Sequence, residues 1–166
     1  MTILADMRPD WRQVIRDPWQ LLGTGLLSGL APRAPGTFGS LAGLLVWILW
    51  LEGLSLPVQV AVIVAASVMG IRICGETSRR WGVHDHGAIV WDEWVGQWIA
   101  CLVLPAWGGW EWLWAFAGFR LFDILKPWPI SWLDRHVHGG LGIMLDDVLA
   151  GACVLALSFA ALLYGF

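Results

Sequence analysis

The chain has 166 residues, of which 58% are apolar and 14% are charged, and its formal net charge is −3 at pH 7. An average soluble domain is about 45–50% apolar and about 25% charged, so this composition excludes an ordinary soluble domain, and the large apolar fraction excludes a disordered chain. The ten basic residues form no block, which excludes a nucleic-acid-binding stripe. The 14 Trp and 20 Gly are instead typical of a membrane protein.

The first 20 residues form an N-terminal arm that carries three Arg and three Asp, which leaves no uninterrupted apolar stretch for a secretory signal. Its apolar residues recur at helical spacing, at Ile3, Met7, Trp11, Val14 and Ile15. This spacing predicts an amphipathic helix that lies in the membrane interface, although an ordinary surface helix would show the same pattern.

Two uncharged runs of 19 residues, Gly53–Ile71 and Val148–Phe166, have the length of membrane-spanning helices. About 20 residues are needed to cross roughly 30 Å of hydrocarbon. The apolar region 94–125 is interrupted by Pro105, Gly108 and Gly109, and this turn signal predicts two short helices that form a hairpin.

The complete pattern predicts an all-α, polytopic membrane helical bundle within a single domain, residues 1–166. Five helices are expected, at residues 38–51, 55–73, 92–105, 110–125 and 147–166. With the N-terminus in the cytoplasm, all ten Lys and Arg residues fall on the inner side, as the positive-inside rule requires. Eleven of the 13 acids and all four His fall there too, which predicts chemistry at the cytoplasmic face.

Acidic residues stand at the edges of three predicted helices. They are Asp92, Glu93, Asp123, Asp146 and Asp147. Carboxylates are costly against hydrocarbon, so we expect them to face the bundle interior, where their mutual repulsion favours a bound cation. Oxygen ligands of this kind suit Mg²⁺. The alternative is that they serve only as structural pairs or as charges at helix N-termini.

Arg120, Asp123 and Lys126 follow one another at intervals of three residues, which places them on one side of a helix. The two cations then either hold a phosphate beside an Asp-bound metal or form an intrahelical ion pair worth about 0.2–0.5 kcal/mol. The glycine-rich segment Pro35–Ser40 precedes the first apolar helix. We expect Thr37 to be the N-cap of that helix, with backbone N–H groups open to an anion.

Two other arrangements are weaker. Cys74 and Arg80 have the Cys-x5-Arg spacing of thiol phosphatases, but they follow an apolar helix and not a strand. Residue types that bind zinc occur together at His84, Asp85 and His86, but no further soft ligand lies near them in the sequence.

The acidic clusters lie in segments that resemble the phosphatidylglycerophosphatase A family of bacterial inner-membrane lipid phosphatases. The matching segments are Gly29–Ser40, Gly82–Glu93 and Phe119–Gly151, within a resemblance that covers about residues 18–152. The resemblance implies Mg²⁺-dependent hydrolysis of the terminal phosphate of phosphatidylglycerophosphate, which yields phosphatidylglycerol and phosphate. It also implies a multi-pass protein of the inner membrane with a phospholipid substrate and no nucleic-acid partner, and it leaves the oligomeric state open.

The resemblance further implies roles for individual residues. The metal ligands or neighbouring carboxylates are Asp92, Glu93, Asp123, Asp146 and Asp147. The substrate phosphate is held by Arg120, Lys126, Thr37, Arg33 and Ser40. Catalysis would use Asp92, Glu93 as a further ligand or base, and Asp134 or His138 as the donor of a proton to the leaving glycerol oxygen. Attack by water and attack by an Asp carboxylate both stay open.

A different class of function is a non-catalytic membrane protein that binds cations for transport or assembly. The acids of such a protein would line a continuous path across the bilayer. In Trp94–Leu104 the strongly polar side chain is Gln97, and in Val148–Phe166 it is Ser158, which disfavours such a path.

Overall fold

The computed structural model describes residues 9–104 and 106–165, and within these ranges the regular structure is helical, with no strand. The all-α prediction is confirmed. The first eight residues of the N-terminal arm, including Ile3 and Met7, and the predicted turn residue Pro105 lie outside the described residues. The described α-helices are α1 Trp11–Val14, α2 Pro18–Gly23, α3 Pro35–Val46, α4 Leu56–Trp81, α5 Trp91–Cys101, α6 Trp110–Leu125, α7 Ile130–His136 and α8 Gly139–Tyr164. A 3-10 turn, Ser28–Leu30, precedes α3, and a π-helical segment, Trp47–Leu51, extends it.

The described part of the N-terminal arm contains two short helices and not one continuous helix. The side chains of Asp10 and Asp17 cap α1 and α2, and Pro18 occupies the first turn of α2, a position where its missing N–H costs nothing. The arm is attached to the bundle because Thr77 Oγ1 of α4 donates to the Trp19 carbonyl oxygen at 2.9 Å. The interfacial location of the arm stays a prediction.

Among the described residues, α4 and α8 are the two helices that are long and apolar enough to cross a membrane. Each has 26 residues, and the mean hydropathy of the most apolar window is 1.9 in α4 and 2.0 in α8. Both are longer than predicted. In α4 the additional turns carry Arg79 and Arg80, which lie beyond the predicted end of the helix at residue 73. Cations are favourable at a helix C-terminus, and Gly82 then ends the helix at φ +68°.

The start of α8 differs most from the prediction. The segment His138–Gly142 lies outside the predicted helix at residues 147–166, yet it forms the cap and first turn of α8. A Cβ atom at Gly140 would overlap the backbone carbonyl oxygen of Ile71, so this glycine lets α8 pack directly against α4. That packing extends the helix toward the N-terminus. Asp146 and Asp147 were expected to open the helix, and they lie two turns inside it instead.

The other three predicted helices form, but they are short. α3 has 12 residues and its π-helical extension 5, α5 has 11, and α6 has 16. These lengths fall below the roughly 20 residues needed to span a bilayer, so the five-span topology stays a prediction. The short α5 occupies the centre of the bundle, where it packs against α3, α4, α6 and α8.

The crossing of α5 and α8 depends on two glycines. A Cβ atom at Gly151 would overlap the backbone carbonyl oxygen of Gly96, so the two helices contact each other through their backbones. We expect Gly151→Ala to cost about 1–3 kcal/mol of stability and to lower the thermal midpoint in detergent by about 3–10 °C. Gly53→Ala is the matched control, because no atom lies within 4 Å of the added methyl group. Equal midpoints for the two variants would contradict the close crossing.

Candidate active site

Two acidic side chains project from the first turn of α5, where the helix dipole favours negative charge. Asp92 is buried, and no described residue donates a hydrogen bond to its Oδ1 atom. Glu93 Oε2 is also buried and has no described donor. Because a buried carboxylate oxygen without a partner is costly, these two atoms mark a place where a cation or a donor would be stabilised.

The glycine-rich start of α3 makes room for Glu93. A Cβ atom at Gly36 would overlap Glu93 Oε1, and one at Gly39 would overlap Glu93 Oε2. The expected role of Thr37 as N-cap is wrong. The helix starts at Pro35, since proline is pre-organised for the first helical position, and this places Thr37 within the first turn.

Arg120 joins three elements. Its Nη1 atom donates to Asp123 Oδ2 at 2.6 Å within α6, to Glu93 Oε1 at 3.3 Å on α5, and to Ser40 Oγ at 3.3 Å on α3. The side chains of Arg120, Glu93 and Asp123 are only 15%, 13% and 14% exposed. The Nε atom of Arg120 is buried with no acceptor among the described residues. The intrahelical pair is therefore present, and it is part of a wider network.

Lys126 joins a second group of acids. Its Nζ atom donates to Asp134 Oδ1 at 2.6 Å and to Asp146 Oδ2 at 2.5 Å. Partial burial by itself lowers the pKa of this ammonium group, but the hydrogen bonds to the two carboxylates outweigh it and raise the pKa above its usual value. Lys126 therefore stays charged at any physiological pH.

The interior of α8 supplies the remaining acids. Asp146 Oδ1 accepts a hydrogen bond from the Asp147 backbone N–H at 3.1 Å, and both residues are buried. Asp147 lies close enough to Asp92, Asp123 and Asp146 for their charges to repel one another. Five predicted residues and one further residue thus form what we call the carboxylate cluster: Asp85, Asp92, Glu93, Asp123, Asp146 and Asp147.

Asp85 is the member that the sequence did not assign to this site. Its loop is held at both ends, because Ser78 Oγ donates to the carbonyl oxygens of Val83 and His84, while His84 Nε2 accepts from the Gly139 N–H at 2.8 Å. The residue is exposed, yet the surrounding protein raises the pKa of the Asp85 carboxyl; Lys126 and His84 oppose this effect. In the sequence, the one indication that Asp85 belongs to the site was its place in the segment Gly82–Glu93, which also carries Asp92 and Glu93.

Two further predicted residues form no ion pair or hydrogen bond with the acids of the cluster among the contacts of the described residues. Arg33 is exposed and has no ion pair within the described part of the chain. His138 precedes α8 and meets the edge of the His84 ring at a centroid distance of 5.5 Å. The structure therefore supports Arg120, Lys126 and Ser40 as neighbours of the acids more strongly than it supports Arg33 and Thr37.

The carboxylate oxygens of the site are ligand atoms of the type that Mg²⁺ prefers. Residues 9–104 and 106–165 hold no group of three or more His, Cys, Asp or Glu side chains arranged to hold a metal ion by themselves. Mg²⁺ commonly uses one or two carboxylates and completes its shell with water and substrate phosphate oxygens. The unpartnered oxygens of Asp92 and Glu93 are hard donors of this type.

Comparison with known proteins gives matches over most of the chain. The family described as phosphatidylglycerophosphatase A matches residues 21–162. The chain is 47% identical over 141 residues to phosphatidylglycerophosphatase A of Escherichia coli strain K12, covering 84% of this chain and 81% of the relative. It is 44% identical over 145 residues to phosphatidylglycerophosphatase A of Haemophilus influenzae, covering 87% and 88%. No solved structure matches the chain.

Proposed function

Because the chain belongs to the phosphatidylglycerophosphatase A family, we propose that it removes the terminal phosphate of phosphatidylglycerophosphate and releases phosphatidylglycerol. The relatives carry the name of a lipid phosphatase, and this chain is one as well. The observations that best support the assignment are that Arg120 donates to Glu93 and Lys126 donates to Asp146, while Asp92 and Glu93 each keep a buried oxygen that has no described donor. This arrangement suits a phosphate monoester.

We assign Mg²⁺ to the oxygens of Asp92 and Glu93, with Asp123, Asp146 and Asp147 close by. When bound, Mg²⁺ would neutralise phosphoryl charge and make a water molecule more acidic. Glu93 has the alternative role of base: where a neighbouring Asp joins Asp92 in holding the ion, Glu93 Oε2, which has no described hydrogen-bond donor, can accept a proton from an attacking water.

The cations of the chain bind the phosphoryl group. Arg120 has a buried Nε–H with no described acceptor, and this donor can meet a phosphoryl oxygen without breaking an existing contact. Lys126 has three N–H donors and uses two of them in hydrogen bonds to Asp134 and Asp146, which leaves one for the phosphoryl group. Hydrogen-bond donors that are already in position around the charge of the transition state are usually the largest single contribution to the rate of such a reaction.

A proton must also reach the leaving glycerol oxygen. Asp134 and His138 are the donors suggested by the resemblance, and Asp85 is a third. Although Asp85 is exposed as a residue, the surrounding protein keeps water from its carboxyl group and so raises its pKa, with Lys126 and His84 opposing this effect and Asp134 and Asp123 adding to it. Its raised pKa and its position in the carboxylate cluster make Asp85 a candidate for this proton transfer.

We place the site at the cytoplasmic face of the inner membrane, with the chain crossing the bilayer more than once. The two long apolar helices support membrane insertion. The basic side chains at the C-terminal end of α4 and the end of α6 lie at the same end of the bundle as the carboxylate cluster, which agrees with the positive-inside rule.

The test is phosphate release from phosphatidylglycerophosphate by the purified, detergent-solubilised protein, with Mg²⁺ and with EDTA. We expect release with Mg²⁺, loss of release with EDTA, and recovery when excess Mg²⁺ is added back. Phosphatidic acid and a phosphatidylinositol phosphate, assayed in parallel, measure the preference for the headgroup. No release in either condition from folded protein would favour the non-catalytic cation-binding role.

A further inference from the structure

Arg72 of α4 is a cation that forms no ion pair within the described part of the chain. Glu76, one turn further along the helix, is the nearest carboxylate in the sequence, but it is paired with Arg79 at 2.7 Å and with Arg80 at 3.7 Å. Arg72 is exposed. Its guanidinium group, which carries five N–H donors, is therefore available to an anion from outside the chain.

The position of Arg72 along α4 places it at the edge of the hydrocarbon layer when the helix crosses a bilayer. The uncharged run Gly53–Ile71 ends one residue before Arg72. Leu56, the first residue of α4, lies about 24 Å away along the helix. Since the hydrocarbon core is roughly 30 Å thick, the guanidinium group reaches the level of the phospholipid phosphates.

An apolar groove of about 380 Å³ adjoins this cation, between α2 and α4. Its walls are held together because Thr77 Oγ1 donates to the Trp19 carbonyl oxygen at 2.9 Å, and a Cβ atom at Gly23 would overlap the same Oγ1 atom. Small-ligand pockets commonly have volumes of about 300–1,000 Å³, so the groove has room for a segment of an acyl chain. The groove is lined by Pro18, Trp19, Leu22, Met69, Arg72 and Ile73, of which Arg72 alone is charged.

We propose that this groove binds one anionic phospholipid of the surrounding membrane, with the phosphate at Arg72 and one acyl chain along the apolar walls. In such a lipid the phosphate is esterified to the glycerol that carries the acyl chains, so the anion and the hydrocarbon are only a few bonds apart. The groove has the complementary arrangement, because Arg72 and Met69 lie one turn apart on α4 and both line it. The lipid is a ligand that joins α2 to α4, and it is distinct from the substrate of the candidate active site.

The test measures the binding of phosphatidylserine and of zwitterionic phosphatidylcholine to the purified protein in detergent, by native mass spectrometry. We expect the wild type to prefer phosphatidylserine. Arg72→Ala should weaken its affinity for phosphatidylserine by roughly tenfold, because charge-assisted hydrogen bonds are lost, and Arg72→Lys should recover part of it. Arg79→Ala is the matched control. It removes one cation from the same helix outside the groove, and its affinity should equal that of the wild type.

Two tryptophan variants test the apolar part of the groove. Met69→Trp adds bulk within the lining and should lower the affinity for phosphatidylserine. Val68→Trp introduces the same side chain at the adjacent position, which is 62% exposed and does not line the groove, and it should leave the affinity unchanged. Equal affinities of these two variants would overturn the groove assignment.

Two further outcomes would also overturn the proposal. One is an equal loss of affinity in Arg72→Ala and Arg79→Ala, because the lipid would then be attracted by the basic surface as a whole. The other is a wild-type protein with no preference for the anionic lipid. Phosphate release by all these variants should match that of the wild type, because none of the changed residues belongs to the candidate active site. Failure of the lipid site is therefore distinct from failure of the proposed function.

Discussion

Replacement of Asp92 by Asn should lower kcat by on the order of 10³-fold while the folded protein remains at least as stable as the wild type. The carboxylate is buried, and its Oδ1 has no described donor, so its charge costs folding free energy and is retained for another purpose. Asn has the same shape without the charge. In EDTA, the thermal midpoint of the variant should equal or exceed that of the wild type.

The measurement combines phosphate release with thermal unfolding, each with and without Mg²⁺. We expect Mg²⁺ to raise the midpoint of the wild type more than that of Asp92→Asn, because a ligand stabilises the state that binds it. Glu111→Gln is the matched control, since Glu111 also occupies the first turn of a helix but lies outside the carboxylate cluster. Full turnover by Asp92→Asn would refute the assignment of Asp92 as a metal ligand. So would a loss of activity that is explained by a lower thermal midpoint of the variant.

Replacement of Arg120 by Ala should damage both activity and stability. Arg120 is the partner of Glu93 and Asp123, and the three side chains are 13–15% exposed. Removing one member of a fully buried ion pair leaves unpaired charge and costs about 3–5 kcal/mol, so for these largely buried side chains that range is the upper bound. The loss of a phosphoryl-binding donor should also lower kcat/KM by on the order of 10²- to 10³-fold.

Arg79→Ala is the matched control for this prediction. Arg79 pairs with Glu76 at the same three-residue spacing, but its side chain is 70% exposed, where an ion pair contributes little. The midpoint and kcat/KM of Arg79→Ala should be unchanged. Arg120→Lys should recover part of the stability and little of the activity, because Lys has no counterpart of the buried Nε–H that we assign to a phosphoryl oxygen. Wild-type turnover by Arg120→Ala would contradict the phosphate-binding role.

Several features of the site could be predicted because they depend on neighbours in the chain. The spacing of Arg120 and Asp123 puts them on one side of α6, and they form a hydrogen bond of 2.6 Å. The positions of Asp92 and Glu93 at the start of α5 likewise follow from where the apolar run begins.

Other features could not be predicted because distant segments decide them. The glycines at the start of α3 suggested an anion-binding loop, yet Gly36 and Gly39 make room for Glu93 of another helix. Asp85 belongs to a polar loop whose position depends on a hydrogen bond from Gly139 to His84, 55 residues apart in the chain.

The sequence by itself determined the helical class, the two long apolar helices and the identity of most acids and cations in the site. Hydrophobicity, helical period and charge spacing are properties of short segments, so they can be read without knowledge of the fold. Only the tertiary structure decided where α8 begins, that Lys126 links Asp134 to Asp146, and that Arg120 links three helices. These depend on which backbones approach each other closely, and close packing between distant segments overrides local preference.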